Sequence, residues 1–270
     1  QFDPQPIDYE SPYSAIDNNP ILKTDFFGDT TIYYNMANGS VLGTINNEGA
    51  VKRVKINAEA YLQANVTSLE NGEDLTKQTD ANTFVSNLNN TLSTIDNFLG
   101  TNLIAFGTGE LKMDFTGSAD ANNPAQANGA LNVNAMFDDG SSVTIASYQA
   151  VGGPYGNGSP ENGNYTADNL QDRSRTGWYN PGMNRDGVGF SLNLNPQFPT
   201  GRTLERIHPD GNVPGTQGCI GLQVDAERLQ EFRSTMRDYL RTHTNIQVTV
   251  SIQGNPNNNG RGSRVRNNGE

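Results

Sequence analysis

The sequence is poor in the residues that carry most redox and metal chemistry: 270 residues hold one cysteine, two histidines and one tryptophan. A single Cys excludes an internal disulfide framework and any multi-Cys zinc site. Charge is also scarce. Only 17% of residues are charged, and 29 Asp+Glu against 18 Lys+Arg leave a net charge of −11. A polyanion-binding surface needs a basic face, so nucleic acid is excluded as a partner. Apolar runs are only a few residues long, and none is long enough to span a bilayer. The composition calls for no cofactor and no metal.

Amides and glycine are abundant instead, with 36 Asn and 29 Gly. Both residue types tolerate positive φ, so many tight turns and a β-rich body are expected. The chain begins at Gln1 without Met. That fits removal of a secretory signal, and equally a trimmed chain; the expectation is export, to a periplasmic or extracellular location.

Along the chain, residues 1–25 carry Pro4, Pro6, Pro12 and Pro20 and read as an extended N-terminal arm. Thr31 to Ile45 forms two short β-branched or aromatic runs around Asn38-Gly39, a hairpin signal, with a further strand over Val51 to Ile56. From Ala81 to Leu99, Phe84, Val85, Leu88, Leu92, Ile95, Phe98 and Leu99 recur at spacings of three and four, the stripe of an amphipathic helix. Strands follow at 111–115, 131–137 and 142–148, the last two joined by an Asp-Gly turn at 139–140. Gly152 to Asp186 is so rich in Gly, Asn, Pro and aromatics that it reads as mostly loop. Strands are expected at 189–194 and 245–252 with a helix from Val224 to Arg241, and the tail after Gly254 reads as disordered.

The sole cysteine lies in RIHPDGNVPGTQGCIGLQ (206–223), eleven positions after His208. If Glu205–His208 ends one strand and Cys219–Leu222 begins another, the two side chains emerge side by side. An imidazole in reach of a thiol can take its proton, which is what a cysteine nucleophile requires. Gly215 and Gly218 would let backbone N–H groups near Cys219 face a reacting carbonyl. Spacing alone leaves two readings open, this one and a buried, inert Cys219 beside Ile220. Asp210 sits in the turn, where a local side-chain-to-backbone bond is expected.

The run Ile207-His208-Pro209 with Thr216-Gln217-Gly218-Cys219-Ile220 resembles the signature of the L,D-transpeptidase (YkuD-type) catalytic domain. That pattern is a His, a loop, Ser or Thr, a variable residue, Gly, the nucleophilic Cys and an aliphatic residue. The short His-to-Cys loop is similar to the compact branch with phage-associated and type VI secretion effector members. Upstream, residues 148–169 resemble the family's strand, glycine turn and substrate loop, with Pro160, Gly163 and Tyr165 in order. The family carries Arg two positions after the Cys, where this chain has Gly221. Arg206, Arg202, Arg185 and Arg175 are the candidates to supply that charge.

The resemblance covers roughly 110–252. It implies an α+β, β-rich fold, a YkuD-like β-sandwich catalytic domain at 109–254 beside a smaller N-terminal hairpin and helix region at 26–108, between the arm and a tail at 255–270. It implies attack by Cys219 on peptidoglycan stem peptides, with His208 as base, Gly218 at the oxyanion and Thr216 positioning the loop. A backbone carbonyl would orient the imidazole. Tyr148, Tyr155, Tyr165, Trp178 and Arg206 are the substrate-binding candidates. The N-terminal region is open to three readings, a docking module for a delivery or tail apparatus, a wall-binding module or a lid over the groove, and the site of action would be periplasmic or extracellular, or a target's periplasm. The alternative is a non-catalytic wall-binding or structural component of a phage tail or secretion assembly.

Overall fold

The computed structural model of the chain describes residues 30–45, 51–62, 87, 104–174 and 179–257. The arm at 1–25, the apolar stripe of 81–99, Arg175, Trp178 and the tail beyond 257 fall outside these residues. The chain divides into two compact units, 1–110 with 136–142 and 111–135 with 143–270. Strands β4 (Ile104–Ala119) and β5 (Ala127–Phe137) contribute to both.

In the first unit, β1 (Thr30–Asn35) pairs antiparallel with β2 (Val41–Ile45) and parallel with β3 (Val51–Ile56). The expected turn joins β1 and β2, where the Gly39 N–H donates to the Asn35 carbonyl at 2.7 Å and Asn38 Oδ1 accepts from the Ser40 N–H at 3.0 Å. Helical turns at 58–62 (α1) follow, with Asn57 Oδ1 accepting from the N–H groups of Glu59 and Ala60. Tyr33, Tyr34, Val54, Ile56 and Tyr61 are buried, and the Tyr33 and Tyr61 rings lie 5.3 Å apart.

The second unit is α+β and β-rich, built on a closed eight-stranded barrel. Its strands run in the order β4, β5, β6 (Ser142–Gly152), β11 (Ile220–Leu222), β10 (Arg206–Pro209), β9 (Val188–Pro196), β7 (Gly163–Asp172) and β12 (Ile246–Gln253). The parallel pairing of β12 with β4 closes the ring. A short strand β8 (Asn184–Arg185) pairs with β9. Strict alternation along β12 sends Ile246, Val248, Val250 and Ile252 inward and the intervening polar residues outward.

Between β11 and β12 runs α2 (Ala226–Leu240), which buries Leu229, Phe232 and Met236 on one side. Asp225 caps it, accepting from the Arg228 N–H at 2.9 Å. Phe232 stacks on Phe190 and meets Tyr148 edge-on at 5.2 Å. Among the described residues no helix is long and apolar enough to cross a membrane.

Two expectations are amended. The stretch 152–186 is loop-rich but not without a strand: residues 163–172 form β7, flanked by β12 and β9. Its inward positions are Tyr165 and Ala167, both fully buried, while outward Asp168 accepts from the Asn193 and Asn195 side-chain amides. An amide ladder satisfies a face that composition alone marks as turn-like. The beginning of the tail is ordered as well. Asn255 and Asn257 are buried and donate to the Pro160 and Ser159 carbonyls at 2.8 and 3.0 Å.

Candidate active site

Strands β10 and β11 run parallel, with Ile207 opposite Ile220 and His208 opposite Gly221. Extending that register by one residue sets Arg206 across from Cys219. Ile207 and Ile220 are fully buried in the core, so the two-residue period turns Arg206, His208 and Cys219 to the opposite face. All three line one groove of about 680 Å³, together with Thr216, Tyr155 and Met183.

The His208 ring is buried, and its Nδ1 lies 2.7 Å from the Pro209 carbonyl oxygen. A carbonyl only accepts, so Nδ1 carries the proton and the neutral ring keeps the lone pair on Nε2. Burial holds the imidazole pKa below its ordinary value, against the Pro209 hydrogen bond and the Asp210 charge. His208 is therefore a neutral base at pH 7. Burial likewise pushes the Cys219 thiol up to about 11. A hydrogen bond from the Arg206 backbone and the Arg206 charge oppose that rise, while Glu205 adds to it. At rest the groove holds a protonated thiol and a neutral imidazole.

Thr216 braces the cysteine turn against the end of β6. Its hydroxyl donates to the Cys219 carbonyl at 2.7 Å and accepts from the Gly153 N–H at 2.9 Å. Gly218 has φ +117°, in the region that favours glycine. Asp210, fully buried, accepts from the Gly215 N–H at 2.9 Å and from the Gln223 amide at 2.8 Å, which fixes the loop between His208 and Cys219. Gly221, where the resembled family carries Arg, has no room for a side chain. A Cβ there would sit 2.8 Å from the Thr216 methyl carbon and 3.2 Å from Asp210 Cβ.

Of the substrate-binding candidates, Tyr155 and Arg206 line the groove. Tyr148 and Tyr165 do not; both are core side chains, Tyr148 under Phe232 and Tyr165 against Phe198, with the Tyr165 hydroxyl donating to the Glu161 carbonyl. Their inward strand positions decide this. Trp178 is outside the described residues.

Several groups at the site carry little sequence signal. Leu204 is 75% exposed at the groove rim with φ +64°, a conformation costly for a bulky L-residue. Glu205 is 4% exposed, and burial raises its carboxyl to about 7 despite Arg202 beside it. Arg202, one of the candidates for the missing charge, instead clamps the backbone, donating to the carbonyls of Ser159 and Asn157 at 2.7 Å each. Only a turn-rich stretch marked these positions.

Among the described residues no cluster of three or more His, Cys, Asp or Glu could hold a metal ion. Comparison with protein-family models, with curated proteins and with solved structures gives no match.

Proposed function

We propose that the protein is a cysteine-dependent acyl transferase or hydrolase acting on peptidoglycan stem peptides, an L,D-transpeptidase or L,D-carboxypeptidase. One observation carries the reading: a carbonyl-oriented imidazole and the sole thiol share one face of neighbouring strands and one groove. The Cys219 thiol transfers its proton to His208 Nε2 as Sγ attacks the carbonyl carbon of the scissile amide. The N–H groups of Gly218 and Cys219 hold the oxyanion. The C–N bond then breaks, His208 returns the proton to the leaving amine, and a thioester remains on Sγ. Attack by an acceptor amine gives an exchanged or cross-linked product; attack by water gives a trimmed stem.

In this reading the catalytic unit is the YkuD-like domain of the resembled family, and its chemistry takes place in a periplasm or outside the cell. Gly221 does not remove the need for a cation, and the groove offers Arg206 in its place. The burial that raises the thiol favours one other reading, a non-catalytic wall-binding component of a tail or secretion assembly.

Incubation with muropeptides and mass resolution of the products separates the two. Wild type is expected to release the terminal D-amino acid and to accumulate a covalent adduct on Cys219. Cys219→Ala should abolish turnover, and His208→Gln should reduce it at least about 100-fold, with near-ultraviolet circular dichroism unchanged. Turnover by Cys219→Ala at the wild-type rate would overturn the assignment. Sacculus binding without any turnover by wild type would select the wall-binding reading.

A further inference from the structure

The groove departs from the rest of the molecule in charge. The chain carries −11, yet among the described residues no Asp or Glu lines the groove, and Arg206 is the only one of them lining it with a fixed charge. The Arg206 guanidinium makes no hydrogen bond or ion pair with any described side chain, and its Nε is buried without a partner. This contrasts with Arg202, only four residues earlier, whose guanidinium meets two carbonyls and two carboxylates. A buried, unpaired N–H on a cation is costly to keep, and one on a residue lining an open groove can be completed by a ligand.

We propose that Arg206 is the specificity-determining residue of the site and receives a substrate carboxylate next to the scissile bond, so that the protein acts on the last residue of a peptide. The inference rests on the acyl-transfer reading and adds to it the side chain that recognises the terminal residue. Arg206 stands across from Cys219, on strands separated by about 4.8 Å, so its charge is rooted at the reacting sulfur. In a peptide whose leaving group is its C-terminal residue, the α-carboxylate lies within about 4 Å of the scissile carbonyl carbon. An internal peptide bond offers a neutral amide at that position and leaves the guanidinium unpaired. The planar fork of Arg matches a carboxylate in two parallel hydrogen bonds, whereas Lys supplies only a point charge.

The test uses one tetrapeptide stem ending in D-Ala, prepared as the free acid and as the C-terminal amide. Wild type is expected to prefer the acid about 10- to 100-fold in kcat/KM. In Arg206→Gln the acid-to-amide ratio should collapse towards one, and Arg206→Lys should restore part of it. Calorimetric titration of Cys219→Ala with the same two peptides reads the preference without chemistry, and the double variant Cys219→Ala with Arg206→Gln should lose it. Acid-selective binding by Cys219→Ala together with no turnover by wild type would sink the acyl-transfer reading and leave the carboxylate site standing. A wild-type ratio near one, a preference that survives Arg206→Gln, or binding of neither peptide would overturn the proposal.

Discussion

At the scale of single residues, the groove is set by what burial does to two titratable groups. His208 is held below its ordinary pKa by burial, and Cys219 is raised to about 11 by burial. In the acyl-transfer mechanism the competent form is neutral imidazole with protonated thiol. As pH falls through the lowered His208 pKa, the base is lost and kcat/KM falls. As pH rises, neither of these two groups titrates until the thiol does, and Glu205, raised to about 7, only pushes that thiol further up as it ionises. The expected profile over about pH 5 to 9.5 has one acid limb, centred below the usual histidine value, and then a plateau. Alkylation by iodoacetamide should still be accelerating at about pH 9.5, because the thiolate fraction is still growing there. An alkylation rate that levels off near neutral pH would instead reveal a resting thiolate–imidazolium pair. The sequence spacing made His208 and Cys219 legible as occupants of one groove, though not that their strands pair in parallel. The state of each group was not legible, because it depends on Glu205, Asp210 and the depth of the groove.

At the scale of elements, hairpins and strict alternations could be read directly. Asn38-Gly39 and Asp139-Gly140 make turns between strands, and β12 buries every second one of its eight residues. Strand β7 could not be read, because its outward residues are satisfied by Asn193 and Asn195, distant partners that no local pattern announces. The segment 200–205 is another such case. Arg202 ties it to the carbonyls of 157 and 159 and to Glu161 and Glu205, and Glu161 also accepts from the Thr200 hydroxyl.

Two carboxylates share one cation there, and burial lifts the Glu205 carboxyl from 4.5 to about 7. A carboxyl raised on folding adds stability that is fully present below its unfolded value and is lost as pH rises through the folded one. Glu205→Gln mimics the protonated acid. It should therefore raise Tm at pH 8 and change it little at pH 5. It also removes a charge that raises the Cys219 thiol, so alkylation at pH 8 should speed up. A lower Tm at pH 8 would mean that the Arg202 pairing outweighs the cost of burial.

At the scale of the whole molecule, an acidic chain presents a groove whose only fixed charge among the described residues is positive, and the two act over different distances. Charges spread over the surface act across a Debye length of about 30 Å at 10 mM salt, shrinking to about 8 Å at 150 mM. With −11 overall, the chain would repel an anionic stem peptide, the proposed substrate, at long range before it met Arg206. Contact with Arg206 occurs inside the groove, where its Nε is shielded from solvent and salt screens less. For the free-acid tetrapeptide, kcat/KM should therefore rise about two- to fivefold between 10 and 150 mM NaCl and then flatten. The amide, which carries one negative charge fewer, should rise less. Because the repulsion belongs to the surface and the recognition to one side chain, Arg206→Gln should lower the acid's kcat/KM at every salt concentration while keeping the rise. A kcat/KM that falls steadily from 10 mM upward would show that local attraction at the groove governs encounter, and that the overall charge does not reach the substrate.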